Sequence, residues 1–280
     1  MMPGMHDPLD AFDSDGFVLL RGCVPPTLLA DLRRGMEPII ARRGTATRHQ
    51  TVLKPDVVDR SFVEFLNLSE MNDAAQRIVG GPLSFAALAV LLGAASHQLC
   101  KWHRDFPDAD PEMAELQRRP RVLLQFNVAL YDDPSLWVIP GSHDRPTTPG
   151  ETAYAARFEK LPFVGPFPTD TPDVLRAMPG AAYAPLTAGD CLIYNPVIWH
   201  AAEYDPARKR ATLHGGWRDA RAIDEFRALR WGLEHNPWLM DPTYLGDLGP
   251  YFGPQLEQFN DAARRHHPKL AGAMTALADS

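Results

Sequence analysis

Lys101-Trp102-His103-Arg104-Asp105 sets a histidine and an aspartate two residues apart. On an extended chain that spacing puts both side chains on one face, about 7 Å apart at Cα, and both are good ligands for a metal ion. The pair alone proves nothing: ten histidines and 35 acids in 280 residues give about 1.25 such His-x-acid pairs by chance, and this chain has one. Weight comes from a second histidine, His200 in Trp199-His200-Ala201-Ala202, and from Arg210, ten residues further on in Lys209-Arg210-Ala211-Thr212-Leu213. Two imidazoles and one carboxylate on one face of an octahedron leave three positions open, the arrangement suited to non-haem Fe(II) oxygenases. Those positions take a bidentate oxo acid and dioxygen. A dicarboxylate co-reactant then needs a cation at its far end, and a planar guanidinium meets a carboxylate with two parallel hydrogen bonds.

Such residues need strands to hold them. Val122, Leu124, Phe126, Val128 and Leu130 are apolar, while Arg121, Leu123, Gln125, Asn127, Ala129 and Tyr131 between them are mostly polar. This period of two predicts a strand over 121–131. Its polar face either looks into a barrel that holds a polar ligand, with the apolar face under helices, or faces water from a sheet edge. Further strands are predicted over 17–22, 96–104, 136–139, 190–195, 198–203 and 210–217, a spacing that suits an antiparallel sandwich or barrel. Pro25-Pro26-Thr27 introduces a helix with an apolar face of Leu28, Leu32, Met36, Ile39 and Ile40, expected to pack on a sheet, and a second helical pattern covers 61–79 before Gly80-Gly81-Pro82 breaks it. The start of the chain, before the strand at Phe17, reads as disordered. Residues 143–183, rich in proline, glycine and threonine, are too long for an ordinary connection and read as a lid. The last sixty residues return to helical patterns carrying Trp231, Trp238, Tyr244, Tyr251 and Phe252, available to cover the barrel or to form a dimer contact.

Composition excludes several classes. Hydrophobic residues make up 45% and charged residues 22%, which is globular rather than disordered or fibrous. The length suits one domain over 1–280, with a core of about 10–218 and a helical C-terminal extension of about 219–280. The net charge is −7 and no Lys/Arg stripe could track a phosphate backbone, so nucleic acid is not an expected partner. The longest apolar run, near 85–95, is far short of the ~20 residues that cross a bilayer. An N-terminus with no basic cluster followed by an apolar run gives an expectation of a cytoplasmic protein. Cys23, Cys100 and Cys191 are odd in number and widely spaced, and read as buried thiols.

From these motifs the chain is similar to the phytanoyl-CoA dioxygenase family of Fe(II)/2-oxoglutarate-dependent oxygenases. The parts occur in the family's order: Phe12-Asp13-Ser14-Asp15-Gly16-Phe17-Val18, Trp102-His103-Arg104-Asp105, Asn127-Val128-Ala129-Leu130-Tyr131-Asp132-Asp133, Trp137-Val138-Ile139-Pro140-Gly141-Ser142-His143, Gly189-Asp190, His200 and Arg210. The resemblance spans about 10–218. It implies a mainly β fold with flanking helices, built on a double-stranded β-helix core of the jelly-roll, cupin-like kind. It implies iron on His103, Asp105 and His200, with Arg210 on the distal carboxylate of 2-oxoglutarate. The family often has a hydroxyl residue two places after the distal histidine. Here that position is Ala202, and Thr212 is the candidate substitute. Related halogenases replace the carboxylate ligand with a small residue, so Asp105 argues for hydroxylation.

The resemblance implies Fe(II), 2-oxoglutarate and O2 as cofactor and co-reactants, and a hydroxylated small metabolite, succinate and CO2 as products. Desaturation, cyclisation or epoxidation at the same centre and a non-oxygenase metal-binding cupin are the competing accounts. Acyl-CoA thioesters, amino acids, alkaloids and terpenoids are substrates in the family, and the acidic balance of this chain gives no argument for a bulky polyanion. A monomer or a homodimer is expected. Gln125 and Asn127 are candidates for hydrogen bonds to the oxo acid, or satisfied buried amides. Strand phase puts His97 and Lys101 on the face of His103, and His214 on that of Arg210. Lys101 is then a contact to co-reactant or substrate, or a solvated rim residue. Trp102 and Trp199 point away into a core, His143 braces its own turn, and Arg208 belongs to a turn after Asp205-Pro206.

Overall fold

The computed structural model describes residues 7–42, 49–106, 108–171, 173–222, 228–269 and 271–272. In chain order its main elements are α1 (Pro8–Asp15), β1 (Phe17–Leu20), α2 (Pro26–Gly35), α3 (Glu37–Arg42), β2 (His49–Thr51), α4 (Arg60–Leu66), α5 (Ser69–Val79), β3 (Leu83–Leu92) and β4 (Gln98–His103). There follow α6 (Met113–Arg118), β5 (Leu123–Ala129), β6 (Leu136–Val138), α7 (Pro149–Ala156), β7 (Val164–Pro166), β8 (Ala182–Tyr183), β9 (Cys191–Tyr194), β10 (His200–Tyr204), β11 (Ala211–Asp219), α8 (Ala228–His235) and α9 (Phe252–His266).

Two antiparallel sheets face each other: a six-stranded sheet of order β1-β9-β5-β11-β3-β2 and a five-stranded sheet of order β7-β4-β10-β6-β8. This is the double-stranded β-helix. The alternation in β5 divides as the sequence predicts. Leu124, Phe126 and Val128 join the main core, where Leu32, Phe62, Phe65, Phe85, Trp217, Phe252 and Phe259 also lie, so helices cover the outer face of the larger sheet. Gln125 and Asn127 face the interior, and β5 lies between β9 and β11, which overturns the edge-strand alternative.

Several local expectations are corrected. Of the start expected to be disordered, residues 1–6 lie outside those described and the stretch that follows is helical: Asp7 caps α1, and Gly16 ends it at φ 82, a conformation that glycine adopts without strain. The helical pattern over 61–79 is two helices, α4 and α5, parted at Asn67, whose Nδ2 donates to the Val63 and Leu248 carbonyls. Ile40 is exposed, unlike the rest of its predicted apolar face. The unbroken apolar run of β3, with both faces covered, carries no alternation by which to recognise it.

The 143–183 segment is not a loose lid. It contains α7, with a capping box between Thr148 and Glu151, and Arg145 pairs with the buried Glu151 at 2.6 Å. Tyr154, Phe158, Val174, Leu175 and Met178 pack on Leu99, Trp102, Ile139 and Ala201, covering the outside of the smaller sheet. After β11 the chain carries α8 and α9. Its α9 packs on β3 and buries Phe252, Leu256 and Phe259, Tyr251 bonds Asp73 and Tyr244 bonds the Leu53 carbonyl. The side chain of Trp231 lies outside those described. No helix among the described residues is long and apolar enough to cross a membrane.

Candidate metal centre and interior cavity

Antiparallel pairing brings His200, the first residue of β10, opposite His103, the last of β4. Between the pairs His200↔His103 and Ala202↔Cys100, two steps on β10 match three on β4. The extra residue is a β-bulge, which re-aims side chains. Cys100 and His103 both face inward although two residues, an even number, lie between them, while those two, Lys101 and Trp102, both face out.

The bulge corrects two expectations. Lys101 is neither a co-reactant contact nor a solvated rim residue: its ammonium donates to the carbonyls of Phe158, Glu159 and Leu161 and ties the flanking segment to the sheet. His97 faces outward, bonded to Glu203 at 2.7 Å and stacked on Phe167. Trp102 and Trp199 pack on the outer side as predicted.

Asp105 stands just past β4, and its Oδ1 lies 3.5 Å from Nε2 of His103 and 3.8 Å from Nε2 of His200. One donor atom from each of the three residues lies within 4.8 Å of the others. The ring tautomers follow from chemistry. Nδ1 of His103 sits 2.7 Å from the Lys101 carbonyl, and Nδ1 of His200 sits 3.0 Å from that of Ile198. A carbonyl only accepts, so both Nδ1 atoms carry the proton and both Nε2 lone pairs point at Asp105. Three electron-rich atoms facing one another repel unless a cation lies between them.

The donor set fits iron. Ligands at about 2.1 Å on adjacent corners of an octahedron stand about 3 Å apart, so the two His–Asp pairs close by under about 1 Å on an ion. Burial, with the nearby His103, pushes His200 down to about 4, so its Nε2 lone pair is available at neutral pH. Burial alone would raise the Asp105 carboxyl. The imidazoles of His103, His200 and His214, each able to take up a proton beside it, outweigh burial and hold Asp105 well below the usual carboxylate range.

The other predicted residues fall in two places. Asp105, Gln125 and His214 line an interior cavity of about 580 Å³, and Nδ1 of His214 donates to Oδ1 of Asn127 at 3.0 Å. Arg210 lines a separate cavity of about 220 Å³ with Asp133, Glu203 and Tyr204. Its Nε donates to Oδ2 of Asp133 at 2.9 Å and its Nη1 to the Leu91 carbonyl at 3.3 Å. The guanidinium lies 4.9 Å over the Tyr204 ring. The Thr212 hydroxyl also donates to Oδ2 of Asp133, at 3.0 Å, while Ala202 is buried against Cys100 and Tyr204. Arg208 pairs with Asp205 at the surface.

Sequence reasoning did not single out Tyr194. It is buried on the interior face of β9, with its ring 5.7 Å from His200 and 6.5 Å from His214, and it bonds to Asn127. Burial, reinforced by Asp105, pushes its hydroxyl well above the ordinary range, so it stays protonated. The only signal was alternation from Leu192, and the pairing Gln125↔Tyr194 that gives it meaning is not local. Asp133, the acid that holds Arg210, stands in the sequence only as the end of the Asn127–Asp133 motif, with no role of its own. His143 is buried, and its ring meets Phe12 edge-on at 6.3 Å beside Gly16, so it packs on the α1–β1 junction rather than bracing its own turn.

A metal-ready two-histidine, one-carboxylate centre inside a double-stranded β-helix defines a non-haem iron, 2-oxoglutarate-dependent enzyme. The chain belongs to the phytanoyl-CoA dioxygenase (PhyH) family, whose pattern matches residues 12–206. Among solved structures it is similar to the nogalamycin-biosynthesis epimerase SnoN in complex with Fe3+, alpha ketoglutarate and nogalamycin RO: 21% identity, TM-score 0.52, covering 76% of this chain and 82% of that one. It is similar to the alpha ketoglutarate dependent carbocyclase SnoK of the same pathway, with 16% identity, TM-score 0.52 and 78% and 85% coverage. It is also similar to HygX from Streptomyces hygroscopicus with iron bound, with 17% identity, TM-score 0.55 and 77% and 86% coverage. No curated protein matches the chain significantly.

Proposed function

We propose that this protein hydroxylates a C–H bond of a small metabolite, with His103, Asp105 and His200 holding Fe(II) and Arg210 receiving the distal carboxylate of 2-oxoglutarate. The observation that carries the reading is the convergence of two Nε2 lone pairs and a carboxylate within 4.8 Å, with both Nδ1–H groups tied back to the chain. When bound, iron and 2-oxoglutarate supply with dioxygen the oxidising power: one oxygen atom goes to the substrate and the other to succinate, with release of CO2. The chain's own residues do the rest. The carbonyls of Lys101 and Ile198 fix the imidazoles. Asp133 and Thr212 orient Arg210. Asn127 links Tyr194 and His214 into a polar wall that positions the oxo acid, with Gln125 beside it.

A second reading keeps the centre and changes the outcome. The structural neighbours SnoN and SnoK are an epimerase and a carbocyclase, and a different substrate pose over the same three ligands suffices for ring closure or epimerisation. Anaerobic addition of Fe(II) and then 2-oxoglutarate tests the shared reading by the visible metal-to-ligand charge-transfer band. The band is expected in the native chain and absent from His103→Ala and Asp105→Ala. Its absence from folded native protein overturns the oxygenase assignment. Product mass then separates the readings: one added oxygen for hydroxylation, two lost hydrogens for ring closure, no change for epimerisation.

A further inference from the structure

The imidazole of His103 is held at two points, and both lead to the same residue. Its Nδ1–H donates to the Lys101 carbonyl at 2.7 Å, which fixes one atom of the ring. A ring held at one atom can still swing about that bond. The second hold is Phe163: the two rings lie nearly perpendicular, at 78°, with centroids 4.5 Å apart, an edge contact that blocks the swing. Phe163 is 53% exposed, so burial alone fixes it only weakly. Its place is set by the backbone that carries it.

That backbone is tied to Lys101. The Lys101 N–H donates to the Phe163 carbonyl at 3.2 Å, and the ammonium donates to the carbonyls of Leu161, Glu159 and Phe158 at 2.9, 3.0 and 3.4 Å. An ammonium has three donors, and all three go to one strap, residues 158–163, between α7 and β7. Past the strap, β7 runs along β4 through the pairs Cys100↔Val164 and Leu99↔Gly165. The β-bulge makes this arrangement possible. Ordinary alternation puts Lys101 on the same face as His103, whereas the extra residue in β4 turns Lys101 outward to meet the strap while His103 faces in. One residue therefore grips the imidazole twice, by its own carbonyl and through the strap.

We propose that Lys101 is a positioning residue of the metal centre: its ammonium latches the strap, and the strap sets Phe163 against His103 so that Nε2 stays aimed at the ion. Lys101→Met removes the ammonium and keeps the carbonyl, so it frees the strap without touching the hydrogen bond to Nδ1. The inference rests on His103 being a metal ligand, as proposed above, and is independent of substrate and reaction outcome.

The test is anaerobic titration of the full chain with Co(II), a spectroscopic stand-in for Fe(II), together with limited trypsin digestion of the metal-free chain, which reads the strap at Arg157 and Lys160. Lys101→Met is expected to bind Co(II) about tenfold more weakly, the scale on which the outer partners of a ligand act. It should also shift the visible Co(II) bands and be cut faster in the strap. Phe163→Ala should weaken Co(II) to a similar degree with digestion unchanged. The double variant should lose no more than either single one, because both act along one path. Lys101→Arg again offers several donors to the strap and should recover most of the affinity. If Lys101→Met does not fold, Lys101→Gln, with two donors on a shorter stem, takes its place, with faster digestion and a smaller loss of affinity. Native Co(II) affinity in a folded Lys101 variant with a freed strap or in Phe163→Ala, or losses that multiply in the double variant, overturns the latch alone. No Co(II) binding by the native chain overturns it together with the metal-centre assignment.

Discussion

Replacing Arg210 with methionine separates the role that the structure gives this side chain, partner to Asp133, from the proposed one, clamp for 2-oxoglutarate. Its side chain is 10% exposed and that of Asp133 is 4% exposed. Without the guanidinium, Asp133 keeps the Thr212 hydroxyl and the Ser135 N–H but loses its counter-charge. Breaking a buried pair from one side costs about 3–5 kcal/mol of stability. Removing both charges, as in Arg210→Met with Asp133→Asn, leaves no stranded ion, so most of that loss should return as a coupling energy. Cosubstrate binding should behave differently. Losing the partner of a buried carboxylate costs about 2–5 kcal/mol, which is about 30-fold to several thousand-fold in the dissociation constant for 2-oxoglutarate. Urea unfolding measures the first quantity and anaerobic titration of the charge-transfer band the second. The double variant should regain stability and not affinity. Affinity unchanged in Arg210→Met, or restored in the double variant, would refute the clamp and leave Arg210 as the structural partner of Asp133.

Two further outcomes follow from local geometry and burial. Gly16→Ala puts a methyl group at a φ of 82°, 2.6 Å from Nδ1 of the buried His143, and should cost about 1–3 kcal/mol in urea unfolding; a change below about 0.5 kcal/mol would show that His143 moves freely. His200 in the metal-free chain lies about 2.5 units below an ordinary histidine, so the unfolded chain holds more protons between about pH 4 and 6.5 and stability rises with pH across that window. At about 1.36 kcal/mol per unit the penalty is about 3 kcal/mol, complete below pH 4 and absent above 6.5. With chelator present, wild type should lose that much more than His200→Gln on acidification, and parallel curves would contradict a buried neutral imidazole.

The legible parts of the site are those whose meaning is carried by residue type and strand period. His103, Asp105 and His200 stand out because few combinations of side chains suit a facial metal site. The interior face of β5 stands out because Gln125 and Asn127 interrupt an otherwise apolar strand. Phase fails where the backbone stops alternating. Counting by twos from His103 puts Lys101 and His97 on the inner face, and one extra residue in β4 turns both outward. Nothing in Cys100-Lys101-Trp102-His103 announces that residue, because a bulge is a relation between two strands and only its partner β10 defines it.

The same limit explains Asp133 and Tyr194. Asp133 has Asp132 beside it and a proline after it, and by type it reads as a turn acid. Its role appears only when β11 brings Arg210 and Thr212 to it from 77 and 79 residues away. Tyr194 reads as the aromatic end of an apolar strand until Gln125 is found opposite. Metal ligands are recognisable alone because each must be one of a few side chains, whereas a residue that orients a ligand can be any donor or acceptor at the right distance. The Asp133–Arg210 and Asn127–His214 contacts are relations of this second kind, joining residues 77 and 87 positions apart, so no local pattern in the sequence could announce them.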